Sequence, residues 1–233
     1  MLSVTNLSIR LRTAPSKEML IGLNDDQDSG LSFDVAAGEV LSIMGPSGSG
    51  KSTLLNWLIG ALPDSFEAKG ELSLDKRLLN DLTTQERQVG ILFQNDMLFP
   101  HLSVGANLAF AVPSIAKGEV KSGEVVDKHQ RKKLIEEALS DAGMEGFYAR
   151  DPATLSGGQR ARVSALQSLM AEPKALLLDE PFSRLDKDRR QQFREFVYQR
   201  ITALNIPAIL VTHDDEDVPS SPTLGRVITL KGK

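Results

Sequence analysis

A glycine-rich loop between an apolar strand and an apolar-faced helix is the feature that most constrains this chain. Residues Gly45 to Thr53 read Gly-Pro-Ser-Gly-Ser-Gly-Lys-Ser-Thr and contain the pattern G-x-x-x-x-G-K-[ST]. The apolar run from Val40 to Met44 before the loop is typical of a buried parallel strand. After the loop, four apolar residues fall on one helical face: Leu54, Leu55, Leu58 and Ile59. Gly60 is expected to end that helix. This order predicts an α/β fold.

The residue types of the loop match the chemistry of phosphate binding. Glycines let consecutive backbone N–H groups turn inward around phosphate oxygens, and the next helix adds the positive end of its dipole. We expect Lys51 to reach the β- and γ-phosphates and the Ser52 hydroxyl to reach Mg²⁺. The expected nucleotide-binding residues are Gly45, Pro46, Ser47, Gly48, Ser49, Gly50, Lys51, Ser52 and Thr53. A ligand-free turn is the alternative, and this motif alone leaves kinases, GTPases and motor proteins open.

A second apolar run, from Ala175 to Leu178, ends in the carboxylates of Asp179 and Glu180. An open parallel sheet binds its ligands at the carboxyl ends of its strands. Asp179 is therefore expected to hold Mg²⁺, and Glu180 to polarise the attacking water as a general base. The alternative is a capping pair in a turn before a helix.

The rest of the chain alternates between apolar strand and helix patterns, with one interruption. Strands are predicted at Leu7–Leu11, Val89–Phe93 and Ala208–Thr212, and a long helix at Phe193–Leu204. From Gln94 to Leu155 strand patterns are absent, which indicates an inserted helical arm. Exposed loops are predicted at Asn24–Gly30 and Pro113–Gly123. We predict a single domain of 233 residues: an α/β P-loop core with a mainly parallel sheet and an N-terminal antiparallel β part (1–93 and 156–233), and an α-helical part (94–155).

Composition excludes several classes of function. The chain has no cysteine, so disulfides, thiolate zinc sites and cysteine nucleophiles are excluded. Its net charge is −4, and its densest basic segment, Lys128 to Lys133, lies beside two glutamates, which favours a solvated helix face over a nucleic-acid surface. Neither a signal peptide nor a run of roughly 18 apolar residues is visible. We expect any membrane role to depend on a partner.

The segment Leu155-Ser156-Gly157-Gly158-Gln159 resembles the signature sequence of ABC ATPases. Glycines at a helix start offer N–H donors to a second anion, although a plain loop or helix start would have the same composition. In the family two subunits pack head to tail, and each signature closes on the partner's ATP. The resemblance therefore implies ATP-binding roles for Ser156, Gly157, Gly158 and Gln159.

Further motifs follow in the order that the family has, over nearly the whole chain. Gln94 resembles the Q-loop glutamine, with catalytic and Mg²⁺-binding roles. Asp186 resembles the D-loop aspartate at the partner's ATP, and His213 the switch histidine that contacts the γ-phosphate. The segment Leu98 to Asn107 resembles the transporter branch, where this region faces the permease. The chain is also similar to thiamine, iron and polyamine importer ATPases.

This resemblance implies an ATPase that powers transport, with ATP and Mg²⁺ as its ligands. The implied partners are a second ATPase subunit in a homodimer, integral membrane permease subunits and an extracytoplasmic substrate-binding protein, with no nucleic acid. The implied location is peripheral, on the cytoplasmic side of the inner membrane. Three other classes of protein are alternatives. Soluble ABC ATPases of DNA repair carry coiled coils or zinc-binding cysteines, and translation-associated ABC proteins carry two cassettes. In a P-loop kinase the signature has no role.

One departure from the family concerns the adenine. The family places an aromatic residue near the end of the first strand, where this chain has Leu11 and Arg12, and Phe33 is expected in the core. Stacking on the base is either weak or supplied by the planar guanidinium of Arg12.

We predict that ATP and GTP bind with affinities within about tenfold of each other, measured by competition binding. A strong preference for ATP would contradict this.

Overall fold

The protein is described by a computed structural model that covers residues 1–12, 19–21, 30–113, 127–221 and 225–230. Most of the predicted loops Asn24–Gly30 and Pro113–Gly123 lie outside these residues. Within them the strands are β1 (Leu2–Leu11), β2 (Met19–Ile21), β3 (Leu31–Val35), β4 (Val40–Met44), β5 (Phe66–Leu74), β6 (Arg77–Leu78), β7 (Val89–Leu92), β8 (Ala175–Asp179), β9 (Ala208–Val211) and β10 (Gly225–Thr229). The α-helices are α1 (Lys51–Ile59), α2 (Thr84–Arg87), α3 (Val104–Ala109), α4 (Lys128–Asp141), α5 (Gly157–Met170) and α6 (Lys187–Leu204).

The described residues fall into two compact units. The first contains Met1–Ile91, Lys174–Glu180 and Tyr198–Lys233, and the second contains Leu92–Pro173 and Pro181–Val197. The predicted helical segment 94–155 lies within the second unit, which also contains α5 and the first part of α6. The division of one domain at residues 93 and 155 stays a prediction.

The first unit contains an antiparallel sheet in the order β2-β1-β5-β6, with β3 also paired to β1. Strand β1 buries Leu2 and Val4, and then Leu7 and Ile9. Both pairs can face the core because the register shifts between them, at Asn6, whose φ is 52°. The neighbouring strands meet this bulge closely: a Cβ on Gly70 would lie 2.7 Å from the Leu7 Cα. Glycine is therefore the residue that fits beside the bulge.

The second sheet of this unit has the order β10-β4-β9-β8-β7, and the pairs of β4 with β10, β4 with β9 and β8 with β9 are parallel. Strands β4, β8 and β9 are almost fully buried. This explains their continuous apolar sequences, since a strand covered on both faces shows no alternation. The predicted combination of a parallel core sheet and an antiparallel β part is confirmed.

Several predicted element bounds differ from those in the structure. Strand β7 ends at Leu92 and β9 ends at Val211, so Gln94 and His213 lie on loops beyond their strands. Strand β5 was not predicted. Its sequence Phe-Glu-Ala-Lys-Gly-Glu-Leu-Ser-Leu lacks a clean alternation because only Leu72 and Leu74 are buried.

The second unit is mainly helical, as the absence of strand patterns in the sequence predicted. Its core consists of buried apolar residues: Val104, Leu108, Val112, Ile135, Leu139, Ala142, Met144, Leu155, Val163 and Leu166. Asn107 is also fully buried, and its side chain accepts from the Phe99 N–H at 2.7 Å and donates to the carbonyls of Phe99, Leu102 and Ser103. Because one amide satisfies four backbone groups, it fixes the loop before α3.

In the first unit, Arg87 holds the end of the helix that follows the glycine-rich loop. Its guanidinium donates to the carbonyls of Trp57 at 2.7 Å and Leu58 at 3.0 Å, and also to those of Leu82 and Asn80. A helix leaves its last carbonyls without partners, and a cation there also complements the helix dipole. Burial lowers the pKa of Arg87, as expected for a cation withdrawn from water.

We predict that Arg87→Ala lowers the free energy of unfolding by about 2–4 kcal/mol, because two buried and two partly buried carbonyls lose their donor. Arg87→Lys should recover only part of this loss, since an ammonium lacks the planar fork of donors. Urea unfolding measures both. Arg77→Ala, at an exposed position on β6, should change stability by less than about 0.5 kcal/mol. An equally small effect of Arg87→Ala would show that water replaces the guanidinium.

Candidate active site

The carboxyl ends of three neighbouring strands in the first unit bring the predicted site residues together. Ile43 of β4 pairs with Val211 of β9, and Val211 pairs with Asp179 of β8. The glycine-rich loop, the acidic pair and His213 therefore leave the sheet at the same edge.

The glycine-rich loop has the backbone geometry that the motif predicts. Gly48 has a φ of 82° and Gly50 a φ of 93°, in the left-handed region that favours glycine. The buried Lys51 ammonium lies inside the loop and donates to the carbonyls of Gly45 at 2.6 Å and Pro46 at 3.0 Å. This arrangement places a positive charge within the turn of the loop.

The loop fits a phosphate group by two observations. No side chain caps α1 at Gly50, so the N–H groups of its first turn are left for a ligand. The Ser49 hydroxyl is 2% exposed and has no hydrogen-bond partner in the described part of the chain. Buried polar groups normally have partners, so these donors are consistent with an anion in the loop.

Three further side chains line this edge of the sheet. Asp179 ends β8, and Glu180 follows with a φ of 46°, an uncommon conformation for a residue with a side chain. The Glu180 N–H donates to the Val211 carbonyl at 2.9 Å, which holds this conformation. One Glu180 carboxylate oxygen lies 3.2 Å from His213 Nδ1. An acidic group and an imidazole in contact can position or move a proton.

Electrostatics affects the ionisation of Asp179. Burial raises the pKa of the Asp179 carboxyl above its ordinary value, the Glu180 carboxylate raises it further, and the Lys51 ammonium lowers it. Ionisation of Asp179 therefore costs free energy, and a bound cation would remove that cost. Among the described residues, no cluster of three His, Asp or Glu side chains could hold a metal ion.

In the second unit, the signature residues start helix α5. The Ser156 hydroxyl accepts from the Gln159 N–H at 3.3 Å, and the Gln159 side chain accepts from the Ser156 N–H at 2.9 Å. This is a capping box, which explains the serine and the glutamine. A Cβ on Gly157 would meet nothing within 4 Å, whereas one on Gly158 would lie 3.4 Å from Arg189 Cδ. Gly157 therefore opens a face of the helix start to an approaching anion.

The other predicted site residues of this unit have partners of their own. The Gln94 amide donates to the Ser183 hydroxyl at 3.0 Å, a contact that the sequence did not predict. Asp186 accepts from the Arg189 N–H at 3.1 Å, and its other oxygen lies 3.3 Å from Arg189 Nε. Asp186 thus stabilises the start of α6, and its role toward a nucleotide stays a prediction, as does that of Gln94.

Leu11 and Arg12, at the end of β1, carry no aromatic ring. Phe33 is 7% exposed and packs in the core, as predicted. The exposed Arg12 donates through Nε to the Phe66 carbonyl at 3.1 Å, and its stacking on a base stays a prediction.

In the residues that the structure describes, no helix is long and apolar enough to cross a membrane.

Sequence comparisons place the chain beside ABC transporter subunits. The family model described as ABC transporter matches residues 29–183. The chain is 46% identical to YnjD, an ABC transporter ATP-binding protein of Escherichia coli strain K12, over 96% of this chain and 94% of the relative. It is 39% identical to the sulfate/thiosulfate import ATP-binding protein CysA of Bacillus cereus over 79% of this chain, and 37% identical to the sn-glycerol-3-phosphate import ATP-binding protein UgpC 1 of Rhizobium johnstonii over 81%. The chain spans about half the length of these two import proteins, 50% and 48%.

Solved structures agree with this placement. The dimeric structure of MJ0796, a bacterial ABC transporter cassette, is similar with a TM-score of 0.74 and 27% identity, over 99% of this chain and 94% of the other. The dimeric post-hydrolysis state of the same cassette, bound to ADP and Pi, has a TM-score of 0.75 and 28% identity over the same shares. The resemblance and the fold class inferred from the motifs are confirmed.

The raised pKa of Asp179 gives a prediction about stability. Because the pKa is higher in the folded chain, the ionised carboxylate destabilises the fold, and the penalty grows as pH rises from the unfolded-state pKa through the folded-state pKa. Asp179→Asn should raise the melting temperature at neutral pH without nucleotide or Mg²⁺, and the gain should shrink as pH falls. Asp64→Asn, on an exposed residue, is the control. A gain that stays constant with pH would exclude this origin.

Proposed function

This chain belongs to the ABC transporter family as an ATP-binding subunit with ATPase activity, and we propose that it binds MgATP between two copies of itself to power transport through a membrane permease. The ATP of one copy would lie on the glycine-rich loop and be covered by the signature of the other. Hydrolysis would then let the two copies separate.

The observation that supports this proposal is that two helix starts in one chain have room and donors for an anion. The first is the loop before α1, with Lys51 inside it. The second is the start of α5, where Gly157 leaves open space. One triphosphate needs one such cradle, so a second cradle in the same chain supports a partner's ATP as its ligand.

Hydrolysis would use the side chains at the edge of the parallel sheet. Lys51 would neutralise charge on the transferred phosphoryl group, and Glu180 would orient and polarise the attacking water. His213, whose Nδ1 lies 3.2 Å from a Glu180 carboxylate oxygen, would contact the γ-phosphate. The contact between Glu180 and His213 is present without a ligand, so these two groups would need little reorganisation as charge develops.

The Mg²⁺ ion would be held by Ser52 and Asp179, together with phosphate oxygens and water. When bound, it would neutralise charge on the β- and γ-phosphates.

The permease would dock on the second unit. Phe99 and Phe110 are 42% and 69% exposed, and their rings lie 5.3 Å apart. Asn107 fixes the backbone of the Phe99 loop, so this apolar pair is presented rigidly. Two relatives are named import ATP-binding proteins. We propose that the transport powered by this chain is import and that an extracytoplasmic substrate-binding protein takes part. The chain would lie peripherally on the cytoplasmic side of the inner membrane.

We predict that Glu180→Gln lowers the rate of ATP hydrolysis about 10²–10⁴-fold, because the general base is lost while the volume of the side chain is kept. ATP binding should persist, and the variant should accumulate as a dimer with MgATP. Steady-state ATPase assays and size-exclusion chromatography with light scattering measure these effects. Glu71→Gln, at an exposed position on β5, is the matched control.

Three results would contradict parts of this proposal. Hydrolysis at the wild-type rate by Glu180→Gln would remove Glu180 from the mechanism. A variant that binds MgATP yet stays monomeric at high concentration would contradict the arrangement between two copies. Purification from cells without any membrane protein would contradict the docking on a permease.

A further inference from the structure

We propose that Thr212 and Asp217 form a positioning pair that holds His213 against Glu180. This inference rests on the proposed role of His213 in hydrolysis. It assigns a function to a buried carboxylate that neither the site motifs nor the proposed mechanism uses.

The pair closes the turn that follows β9. The Thr212 hydroxyl donates to Asp217 Oδ2 at 2.8 Å, and the same hydroxyl oxygen accepts from the Asp214 N–H at 3.2 Å. Thr212 and Asp217 are each 1% exposed. Between them, the His213 side chain is 62% exposed. One buried hydroxyl therefore fixes the backbone on both sides of an exposed imidazole.

Both ends of the turn are attached to the body of the first unit. The Thr212 N–H donates to the Ile43 carbonyl of β4 at 3.3 Å. At the other end, the Tyr198 hydroxyl of α6 donates to the Asp217 carbonyl. The Asp217 N–H donates to the Asp214 carbonyl at 3.1 Å, which closes the short helical turn between them. The turn is thus connected to a strand and a helix of the same unit.

The energetics favour a positioning role for this carboxylate. Withdrawing a carboxylate from water is costly unless donors replace the water, and a surface turn of this length needs none for its closure. The buried Asp217 carboxylate instead fixes the direction of the backbone at His213. With that backbone fixed, the imidazole has only its side-chain torsions left to adjust, and its Nδ1 lies 3.2 Å from Glu180. Preorganisation of this kind lowers the entropic cost of reaching the reactive geometry.

The expected effect is on the rate of hydrolysis and not on ATP binding. The contacts of Lys51 and the glycine-rich loop, which would bind ground-state ATP, do not involve this turn. Loss of the pair should therefore lower kcat and leave KM for ATP nearly unchanged.

The experiment removes the hydroxyl with Thr212→Val and restores it with Thr212→Ser. We expect Thr212→Val to lower kcat about 10- to 100-fold with KM changed less than about twofold, and Thr212→Ser to stay close to the wild type. Thr5→Val, on an exposed residue of β1, is the matched control. Because Thr212→Val could also impair folding, Asp217→Asn, which keeps the side-chain volume, is measured in the same way.

A double-mutant cycle with His213→Ala tests whether the pair acts through the histidine. If it does, Thr212→Val or Asp217→Asn causes no further loss of activity in the His213→Ala background. Losses that multiply would overturn the proposal. If His213→Ala itself hydrolyses ATP at the wild-type rate, the proposed role of His213 is wrong. If His213→Ala is impaired while Thr212→Val and Asp217→Asn are not, only the positioning inference is wrong.

A second readout does not depend on activity. The chain has three histidines, so the ring ¹⁵N resonances of His213 can be assigned by substitution. Thr212→Val should shift the His213 resonances and leave those of His101 and His129 in place. Unchanged His213 resonances would overturn the proposal even if hydrolysis were slower.

Discussion

The parallel pairing of β4, β9 and β8 is the constraint on which the site depends. In this register Ile43, Val211 and Asp179 lie side by side, so the loop, the histidine and the carboxylates all begin within two residues of the same line across the sheet. A slip of one residue in any strand would turn its side chains to the opposite face and move its functional loop along the edge. The continuous burial of these strands makes such a slip costly, because every one of their apolar residues is already packed.

The site concentrates local features that would not favour folding elsewhere. Glu180 has a positive φ, Ser49 has a buried hydroxyl without a partner in the described residues, and burial raises the pKa of the Asp179 carboxyl. Each costs free energy in the absence of a ligand. They persist because the surrounding structure fixes them: the Val211 carbonyl holds Glu180, and the Lys51 charge partly offsets the burial of Asp179. Functional sites are where proteins accept such costs.

Much of this site could be predicted because its residues lie in short, contiguous motifs whose chemistry depends on order along the chain. The glycine-rich loop and the acidic pair after β8 are of this kind. The bulge at Asn6 and the contacts of Arg87 could not be predicted, because they depend on pairing between segments far apart in sequence. The same holds for the Gln94–Ser183 contact, which joins residues far apart in sequence. The hydroxyl partner of Asp217 is only five residues away, but the turn that contains Asp217 also bonds to Tyr198 of α6, a contact that depends on tertiary packing. A capping box was readable in principle from Ser156 and Gln159, which have the required spacing, whereas the two glycines between them indicated an anion site, a plain loop or a helix start.

Each cradle also satisfies its own key groups in the isolated chain. Lys51 donates to two carbonyls of its own loop, and Ser156 and Gln159 exchange hydrogen bonds with each other. The Lys51 ammonium and the capping side chains of α5 therefore keep partners when these surfaces face water, while the first N–H groups of α1 are left for a ligand or for water. A contact between such surfaces is readily reversible, because few polar side chains lose a partner when the two surfaces separate. The strength of such a contact can then be set by what lies between the two faces, and a difference as small as one phosphate can decide whether they stay together.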